Sequence, residues 1–192
     1  MLDLWPENLY SVLPVKNKFM RFVAQAVSDG LYKRCDRLIA MSEPLQERLC
    51  ARTGKTAAEV AVIPQYCEDF YAVPQPDPAL EERFAGRFNL VFTGTFTPAQ
   101  SLDMVINAVL DARAAGAEAL HLLLVGDGPD RPRLEQLAVK MGLTAPDVVF
   151  AGMVPPEQVA DWYQLGALFV SASTSETQGL TYVEALAAGV PA

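Results

Sequence analysis

Two carboxylates and one glycine near the end of the chain have the types and spacing of a ligand site. Glu176 and Glu184 are eight positions apart, and Gly179 between them precedes a helical pattern. A helix start offers unpaired N–H groups and the positive end of a dipole to an anion, and carboxylates accept hydrogen bonds from hydroxyl-rich ligands. The segment therefore suits an anionic, polyhydroxylated ligand. A polar loop, a glycine and an amphipathic helix also occur at ordinary strand-to-helix junctions, so a purely structural alternative stays open.

Four short apolar runs, alternating with helical patterns, must position this segment. Strands of continuous apolar character separated by helices indicate a parallel sheet with helices on both faces. Ligands of such sheets bind beyond the carboxyl ends of the strands. Glycines fall at these strand ends together with Glu176 and Gly179, which predicts a site there, with tight turns as the structural alternative for the glycines. The predicted strands cover residues 89–92, 120–125, 148–152 and 168–170, the helices cover 102–115, 131–141 and 156–165, and the glycines are Gly94, Gly126, Gly128 and Gly152.

Length and composition exclude several classes of protein. A chain of 192 residues with 51% hydrophobic residues can bury a sizeable core. The net charge of −8 argues against a general nucleic-acid binder. Cys35, Cys50 and Cys67 are 15 and 17 positions apart, which matches neither a zinc site nor a disulfide framework and indicates a reducing compartment. The sequence has no apolar run near the ~20 residues of a transmembrane helix.

The segment from Glu176 to Pro191, ETQGLTYVEALAAGVP, resembles the donor-site signature of the retaining glycosyltransferases of family four. These enzymes have GT-B architecture, with two Rossmann-like domains. Three further blocks resemble the same family: DLWPE at residues 3–7, VGDGP at 125–129 and VVFAGMVP at 148–155. The resemblance extends from about Asp3 to the end of the chain, and its signature is specific to the family without indicating a substrate.

The resemblance implies a fold class and a domain organisation. The expected fold is α/β of GT-B type, a Rossmann-like parallel sheet with helices on both faces, preceded by the tail of another Rossmann-like domain. Residues 1–60 are expected to be the remnant of the acceptor-side domain, residues 61–87 an interdomain linker with a first strand, and residues 88–192 the donor-binding domain. Within the linker, residues 71–87 are predicted to form a surface segment with one short helix. The chain is expected to be the middle of a longer transferase and inactive alone.

The resemblance also implies roles for the site residues. Glu176, the expected catalytic residue, would reach the sugar of a nucleotide-sugar donor, and Glu184 would accept hydrogen bonds from the ribose hydroxyls. Backbone amides around Gly179 would face the diphosphate, while Met153 and Val154 would border the nucleobase. No metal site is expected and no cofactor apart from the donor substrate, with Mg²⁺ as an open option. The expected donor-binding residues are Gly94, Gly126, Gly128, Met153, Val154, Gln178, Gly179, Leu180, Thr181 and Glu184.

The implied activity is transfer of a sugar from a nucleotide-diphosphate-sugar, with retention, to a saccharide or lipid-linked acceptor, because relatives build bacterial surface polysaccharides. One alternative from a different class is a non-catalytic fragment that binds nucleotide-sugars or a partner. Another is a sugar-nucleotide epimerase of the same architecture. Epimerases of this kind use additional acidic and histidine residues, whereas this chain contains only His121.

The sequence departs from the family pattern after the first strand of the donor domain. Relatives usually place cations there, but Thr95 occupies the arginine position, Gln100 the lysine position and Pro98 the shifted lysine position. The leaving diphosphate gains negative charge, which fixed cations stabilise, and a helix terminus supplies only about half a charge. Three explanations stay open: a cation from a segment upstream, a divalent metal, or a weakened or inactive copy of the enzyme.

A basic amphipathic helix is predicted near the start of the chain, within residues 15–37. Six cations and two acids give residues 16–37 a local net charge of +4. Such a helix can lie on an anionic membrane surface, which predicts a cytoplasmic protein with peripheral contact at the inner face of the membrane. The competing prediction is that the apolar face of the helix packs on its own domain. That face comprises Phe19, Phe22, Val23, Ala26 and Val27.

Overall fold

The computed structural model of the chain describes residues 4–12, 15–73, 77–143, 145, 147–173 and 178–192. The chain divides into two compact units. The first unit comprises Met1–Tyr66 with Ser175–Gly179, and the second comprises Cys67–Thr174 with Leu180–Ala192. The division after Tyr66 falls inside the range 61–87 that the sequence assigns to a linker.

The first unit contains a two-stranded parallel sheet. Its elements are α1 (Glu7–Val12), α2 (Lys18–Arg34), β1 (Leu38–Ala40), α3 (Glu43–Thr53) and β2 (Val60–Val62), and β1 pairs with β2. Helix α3 begins after Ser42, whose backbone is extended, and ends at Gly54 with φ of 76°, a left-handed conformation that glycine adopts without strain. The small core of this unit consists of Leu4, Leu38, Ala40, Leu45, Leu49 and Val60.

Helix α2 turns its apolar side to the surface. Phe19 and Phe22 are 73% and 70% exposed, and Val23, Ala26 and Val27 are exposed as well. The described residues of this chain leave that face uncovered, so the predicted packing of the face on its own domain stays a prediction. Neither α2 nor any other helix in the described residues has both the length and the apolarity needed to cross a membrane.

The polar side of α2 attaches the helix to its unit. Arg52 of α3 donates from Nε to Asp29 of α2 at 2.8 Å and from Nη1 to Glu7 of α1 at 3.0 Å. The Tyr32 hydroxyl of α2 accepts a hydrogen bond from the Trp5 N–H at 3.0 Å. Because these polar groups meet at the inner side of α2, the apolar residues on its other side face outward.

The second unit contains a four-stranded parallel sheet flanked by helices. Its strands are β3 (Phe88–Thr93), β4 (Leu120–Val125), β5 (Val148–Gly152) and β6 (Leu168–Phe169). Its helices are α4 (Pro78–Phe84), α5 (Leu102–Ala114), α6 (Arg131–Lys140), α7 (Pro156–Leu165) and α8 (Leu180–Ala187), with 3₁₀ turns at Asp69–Ala72 and Pro98–Gln100. The strand order β5-β4-β3-β6 shows that the chain builds outward from one side of β3 and then returns to its other side. A reversal of this kind marks a ligand crevice at the carboxyl ends of an open parallel sheet.

Two apolar cores lie on opposite faces of this sheet, because neighbouring residues of a strand point to opposite sides. Val91 of β3 belongs to one core and Phe92 to the other, and Leu123 and Leu122 of β4 divide in the same way. Helices α7 and α8 contribute to the first core, and helices α5 and α6 contribute to the second. The predicted parallel sheet with helices on both faces is confirmed.

The predicted surface segment 71–87 contributes two aromatic rings to the first core. Tyr71 and Phe84 are both buried, and the Phe84 ring centroid lies 5.8 Å from that of Trp162 in α7. The prediction of a surface segment is therefore wrong for these two residues. It rested on the three nearby prolines, whereas the aromatic residues beside them decide the packing. The short helix predicted in this range is α4.

Candidate functional site

A cleft of about 440 Å³ opens at the carboxyl ends of the strands in the second unit. Its volume lies within the range of about 300–1,000 Å³ that is usual for small-molecule sites. The ends of β3, β4 and β5 form its base, and residues of α7, of α8 and of the first 3₁₀ turn complete it. The lining residues are Tyr71, Thr93, Gly94, Thr95, Val125, Gly126, Asp127, Met153, Val154, Pro156, Val159, Thr181 and Glu184.

Glycines at the ends of β3 and β4 allow two strand-end loops to touch. A Cβ atom on Gly126 would lie 1.9 Å from the carbonyl oxygen of Gly94, and one on Gly128 would lie 2.4 Å from that of Phe96. Gly126 also has φ of 132°, a value that L side chains rarely adopt. Backbone packing thus requires both Gly126 and Gly128 with or without a ligand, which supports the structural alternative for them. Gly94 and Gly126 line the cleft in addition, and Gly128 is not among its lining residues.

Glu184 of α8 lines the cleft and is only 9% exposed. The Tyr163 hydroxyl of α7 donates to Glu184 Oε2 at 2.9 Å. Thr93 at the end of β3 hydrogen-bonds to the Tyr163 hydroxyl, and Tyr71 lines the same cleft as Glu184. The carboxylate that the resemblance assigns to a ribose is therefore connected by hydrogen bonds to two other elements of the unit.

Burial raises the pKa of the Glu184 carboxyl above its usual range. The hydrogen bond from Tyr163 and the nearby Tyr71 hydroxyl oppose this rise in pKa, and the negative charge of Glu68 adds to it. Burial, reinforced by the Glu184 charge, also raises the pKa of both phenols. Both tyrosines therefore keep their protons at neutral pH, and Tyr163 remains a hydrogen-bond donor to the carboxylate.

A second carboxylate in the described lining of the cleft, Asp127, has the opposite electrostatic setting. The Gly128 N–H donates to its Oδ1 at 2.7 Å, and Arg131 pairs with its Oδ2 at 3.0 Å. The Gly128 amide, and after it Arg131, lowers the pKa of the Asp127 carboxyl. Arg131 also pairs with Glu135 at 2.7 Å. This cation beside the cleft is therefore already shared between two carboxylates.

The residues predicted to face the diphosphate meet at the start of α8. Gly179 has φ of 71° and directly precedes Leu180, the first residue of the helix, and Thr181 lines the cleft. The side chain of Gln178 is engaged by the main chain of Gln65. Its Oε1 accepts from the Gln65 N–H at 2.7 Å, and its Nε2 donates to the Gln65 carbonyl at 2.9 Å. Glu176, the predicted catalytic residue, lies outside the described residues.

Met153 and Val154, which the resemblance assigns to the nucleobase, both line the cleft immediately after β5. Met153 is 82% exposed. A flexible, polarizable thioether in this position can make favourable contacts with an aromatic ring. The predicted base-binding residues and the predicted ribose-binding carboxylate thus belong to one cleft.

Among the residues that the structure describes, no lysine or arginine lines this cleft. Thr95 lines it, while Pro98 and Gln100 lie in the 3₁₀ turn that follows. The part of the chain that the structure describes also contains no group of three or more His, Cys, Asp or Glu side chains that could hold a metal ion. In the described part of the cleft, a diphosphate would therefore find backbone amides and carboxylates and no cationic side chain.

Sequence reasoning missed Tyr163, which hydrogen-bonds to Glu184, and Tyr71, which lines the same cleft. For Tyr163 a signal was present, because it follows Ala160 by three positions and so shares the buried side of α7. A buried phenol usually has a hydrogen-bond partner. The predicted burial of Tyr163 therefore indicates that its hydroxyl bonds to a polar group such as a carboxylate. Tyr71 gave no such signal, since the surrounding prolines indicated an exposed segment.

The family described as Glycosyl transferases group 1 matches residues 87–192, more than half of the chain. The chain belongs to this family. The matched range contains the four-stranded sheet, all of the strand-end glycines in the cleft, and α8 with Glu184. The resemblance to these glycosyltransferases is therefore confirmed.

Three known proteins illustrate the similarity. An alpha-monoglucosyldiacylglycerol synthase of Streptococcus pneumoniae is 42% identical over 94 residues, which cover 47% of this chain and 21% of that protein. A D-inositol 3-phosphate glycosyltransferase of Streptomyces scabiei is 32% identical over 169 residues, covering 76% of this chain and 37% of that protein. The crystal structure of Anabaena HepE in complex with UDP has a TM-score of 0.74 at 21% identity, covering 93% of this chain and 49% of that one. The chain shares the GT-B fold of such structures, and it spans about half of the HepE chain and smaller shares of the two other relatives.

Proposed function

We propose that this chain is the donor-binding part of a glycosyltransferase that moves a sugar from a nucleotide-diphosphate-sugar to an acceptor hydroxyl. The observation that carries the proposal is Glu184, a carboxylate held by the Tyr163 phenol in a cleft at the carboxyl edge of a parallel sheet. Nucleotides bind at this edge in open parallel sheets. Family membership supports the reaction class, and retention at the anomeric carbon is proposed from the donor-site signature.

Each part of the cleft suits one part of such a donor. The Glu184 carboxylate would accept hydrogen bonds from the ribose hydroxyls. Met153 and Val154 would border the base, and the amides at the start of α8 would face the diphosphate. Glu176 would act on the transferred sugar as the catalytic residue. The UDP bound in the Anabaena structure supports a uridine donor as the first nucleotide to test.

The reaction breaks the bond between the anomeric carbon and the diphosphate oxygen, and forms a bond from that carbon to the acceptor oxygen. The bonding electron pair leaves with the nucleoside diphosphate, and the acceptor hydroxyl loses its proton. Amides and the positive end of the α8 dipole would stabilise the charge that develops on the leaving group. We propose no resident cofactor, and Mg²⁺ is tested as a partner of the diphosphate.

The proposed acceptor is a saccharide or a lipid-linked sugar. The Streptococcus pneumoniae relative is named as a synthase of a glucosylated diacylglycerol, which supports an acceptor with a lipid portion. The Streptomyces scabiei relative is named for an inositol phosphate, so acceptors in this family also include small polar molecules.

We also propose that α2 makes peripheral contact with an anionic membrane surface on the cytoplasmic side. Phe19, Phe22 and Val27 point outward from this helix, and Lys33 and Arg34 in its last turn are exposed. Apolar side chains that insert at the headgroup boundary and cations that pair with anionic lipid act together in such helices. The protein should co-sediment with anionic vesicles. The double variant Phe19→Ser, Phe22→Ser should remain in the supernatant. If equal fractions of the protein co-sedimented with neutral and with anionic vesicles, the proposed dependence of the contact on lipid charge would be contradicted.

Calorimetric titration of UDP and GDP, each with and without Mg²⁺, tests the donor site. Glu184→Ala should weaken nucleotide binding by about 10- to 150-fold, because a hydrogen bond to a charged group contributes about 1.5–3 kcal/mol. The matched control is Glu82→Ala, since Glu82 is exposed on α4. Equal affinity in Glu184→Ala and wild type would contradict the assignment of Glu184. Binding that appears only with Mg²⁺ would show that a metal ion supplies positive charge to the diphosphate.

A second candidate function is binding of a nucleotide-sugar without transfer. The absence of lysine and arginine among the described residues that line the cleft favours it, because the leaving group then lacks the usual fixed positive charge. Nucleotide binding without transfer to any offered acceptor, in a chain extended to the length of the relatives, would support this candidate. Detectable sugar transfer would exclude it.

A further inference from the structure

Three side chains form a continuous hydrogen-bonded chain beneath the cleft. Thr93 bonds to the Tyr163 hydroxyl, and Tyr163 donates to Glu184 Oε2 at 2.9 Å. The three come from three elements, the end of β3, helix α7 and helix α8, and Tyr71 of the first 3₁₀ turn packs its ring against that of Tyr163. A carboxylate that were merely exposed in a cleft would need none of these contacts.

Counting protons shows what this arrangement leaves open on Glu184. A carboxylate has about four acceptor positions and no proton to donate, while each phenol has one proton. Tyr163 gives its proton to the carboxylate, because a charged acceptor forms a stronger bond than the Thr181 carbonyl, 3.2 Å from the Tyr163 hydroxyl. The other acceptor positions on Glu184 then remain for another ligand. The two hydroxyls of a ribose are donors suited to such positions.

The phenol rings cannot follow Glu184 if it moves. Tyr163 is fully buried, and its ring lies 5.9 Å from the ring of Tyr71 and 5.9 Å from that of Phe169. The Tyr71 ring in turn lies 4.6 Å from that of Phe70. Rings packed in this way keep their hydroxyl groups in place, so the carboxylate is oriented before a ligand arrives.

The charges around Glu184 show why it needs the neighbouring phenols. Glu68 and the Cys67 thiol interact with Glu184 from the segment before the 3₁₀ turn, and Tyr163 and Tyr71 are the other titratable groups that act on it. Glu68 is negative, and the described lining of the cleft includes no cation. Burial already raises the pKa of Glu184. Without the two phenols, the carboxyl would take up a proton at a higher pH and lose acceptor capacity.

We propose that Tyr163 and its neighbour Tyr71 are positioning residues for Glu184, which orient its carboxylate so that its free acceptor positions receive the ribose of a bound nucleotide. The ribose part of this inference rests on the proposed function. The orientation of the carboxylate rests on the geometry alone, so the two parts are measured separately.

The variants that test it are Tyr163→Phe and Tyr71→Phe, which remove one hydroxyl each and keep the ring. UDP and GDP are titrated calorimetrically from about pH 5 to about pH 9, a range that spans carboxyl groups with raised pKa. Each variant should bind about tenfold more weakly than wild type at neutral pH. Because protonation of Glu184 becomes easier in the variants, their affinity should fall further as the pH falls and recover as it rises. Tyr182→Phe is the matched control, since Tyr182 also lies on α8 and its ring packs on Phe169 at 5.2 Å.

A carboxyl-carbon NMR titration of Glu184 gives a second readout that needs no nucleotide. The pKa of Glu184 should be higher in Tyr163→Phe and Tyr71→Phe than in wild type or Tyr182→Phe. An unchanged pKa overturns the positioning role, even where nucleotide binding is weaker. A raised pKa in a protein that binds neither nucleotide would support the positioning of Glu184 and contradict the donor site instead.

Discussion

The four-stranded sheet of the second unit is covered by helices on both faces, whereas the two-stranded sheet of the first unit leaves the apolar side of α2 exposed. Within this chain, which spans only part of its relatives' length, the dimensions of the two elements differ. Helix α2, with 17 residues, is about 25 Å long, while the three-residue strands β1 and β2 extend for only about 10 Å. A sheet this small cannot bury a helix of that length.

The two units present two different kinds of candidate binding surface. In the second unit, apolar side chains fill both cores and the polar groups gather at one edge, where Glu184, Tyr163 and Thr93 share hydrogen bonds. In the first unit, the polar groups of α2 and α3 face each other, and the apolar residues Phe19 and Phe22 face outward. The first arrangement is suited to a small polar ligand, and the second to a larger apolar surface.

A Cβ atom added at Gly126 would lie 1.9 Å from the carbonyl oxygen of Gly94, and this substitution should have the largest effect. Gly126→Ala should lower the free energy of unfolding of this unit by about 4 kcal/mol, because a Cβ atom would overlap a backbone oxygen and the positive φ would be strained. Urea unfolding followed by the fluorescence of Trp162, which is buried in this unit, measures the loss. Gly142→Ala is the control, since Gly142 also has a positive φ, of 73°, but an added Cβ atom would meet nothing within 4 Å. This control should lower the free energy of unfolding by only about 1–2 kcal/mol. Equal losses in the two variants would show that the loops do not touch.

Substitutions in the core of the first unit and on the exposed side of α2 should differ in their effect on stability, and both effects should be smaller than that of Gly126→Ala. Leu49→Ala should destabilise this unit by about 3 kcal/mol, because Leu49 is fully buried in α3. Phe19→Ala removes a larger side chain, yet it should change the free energy of unfolding by less than about 0.5 kcal/mol. Hydrogen exchange of the α3 amides measures both changes. A large loss in Phe19→Ala would mean that the apolar side of α2 is packed in solution.

The sequence predicted the sheet of the second unit well, because four apolar runs and the glycines that end them are local features. It also placed Gly94 and Gly126 at one edge, since parallel strands bring their carboxyl ends together, and the resemblance added Glu184 to the same site. It failed where partners are distant in the chain. Tyr163 and Glu184 are 21 positions apart, and Arg52 and Asp29 are 23 apart. Periodicity shows that α2 has an apolar face, but the Arg52 pairing decides which side of the helix points inward.

A substitution with a smaller expected effect than Leu49→Ala tests the exposed side of α2 directly. Gly30 lies within this helix, and a Cβ atom added there would have no neighbour within 4 Å. Gly30→Ala should therefore stabilise the first unit by about 0.5–1 kcal/mol, because alanine loses less backbone entropy than glycine on folding. Thermal unfolding monitored by circular dichroism measures the change, and Gly54→Ala, which would strain a helix end with φ of 76°, should show the opposite sign. If Gly30→Ala were destabilising, a surface would have to lie against α2 in solution, and the contrast between the two units would then reflect an occupied face of the helix instead of an open one.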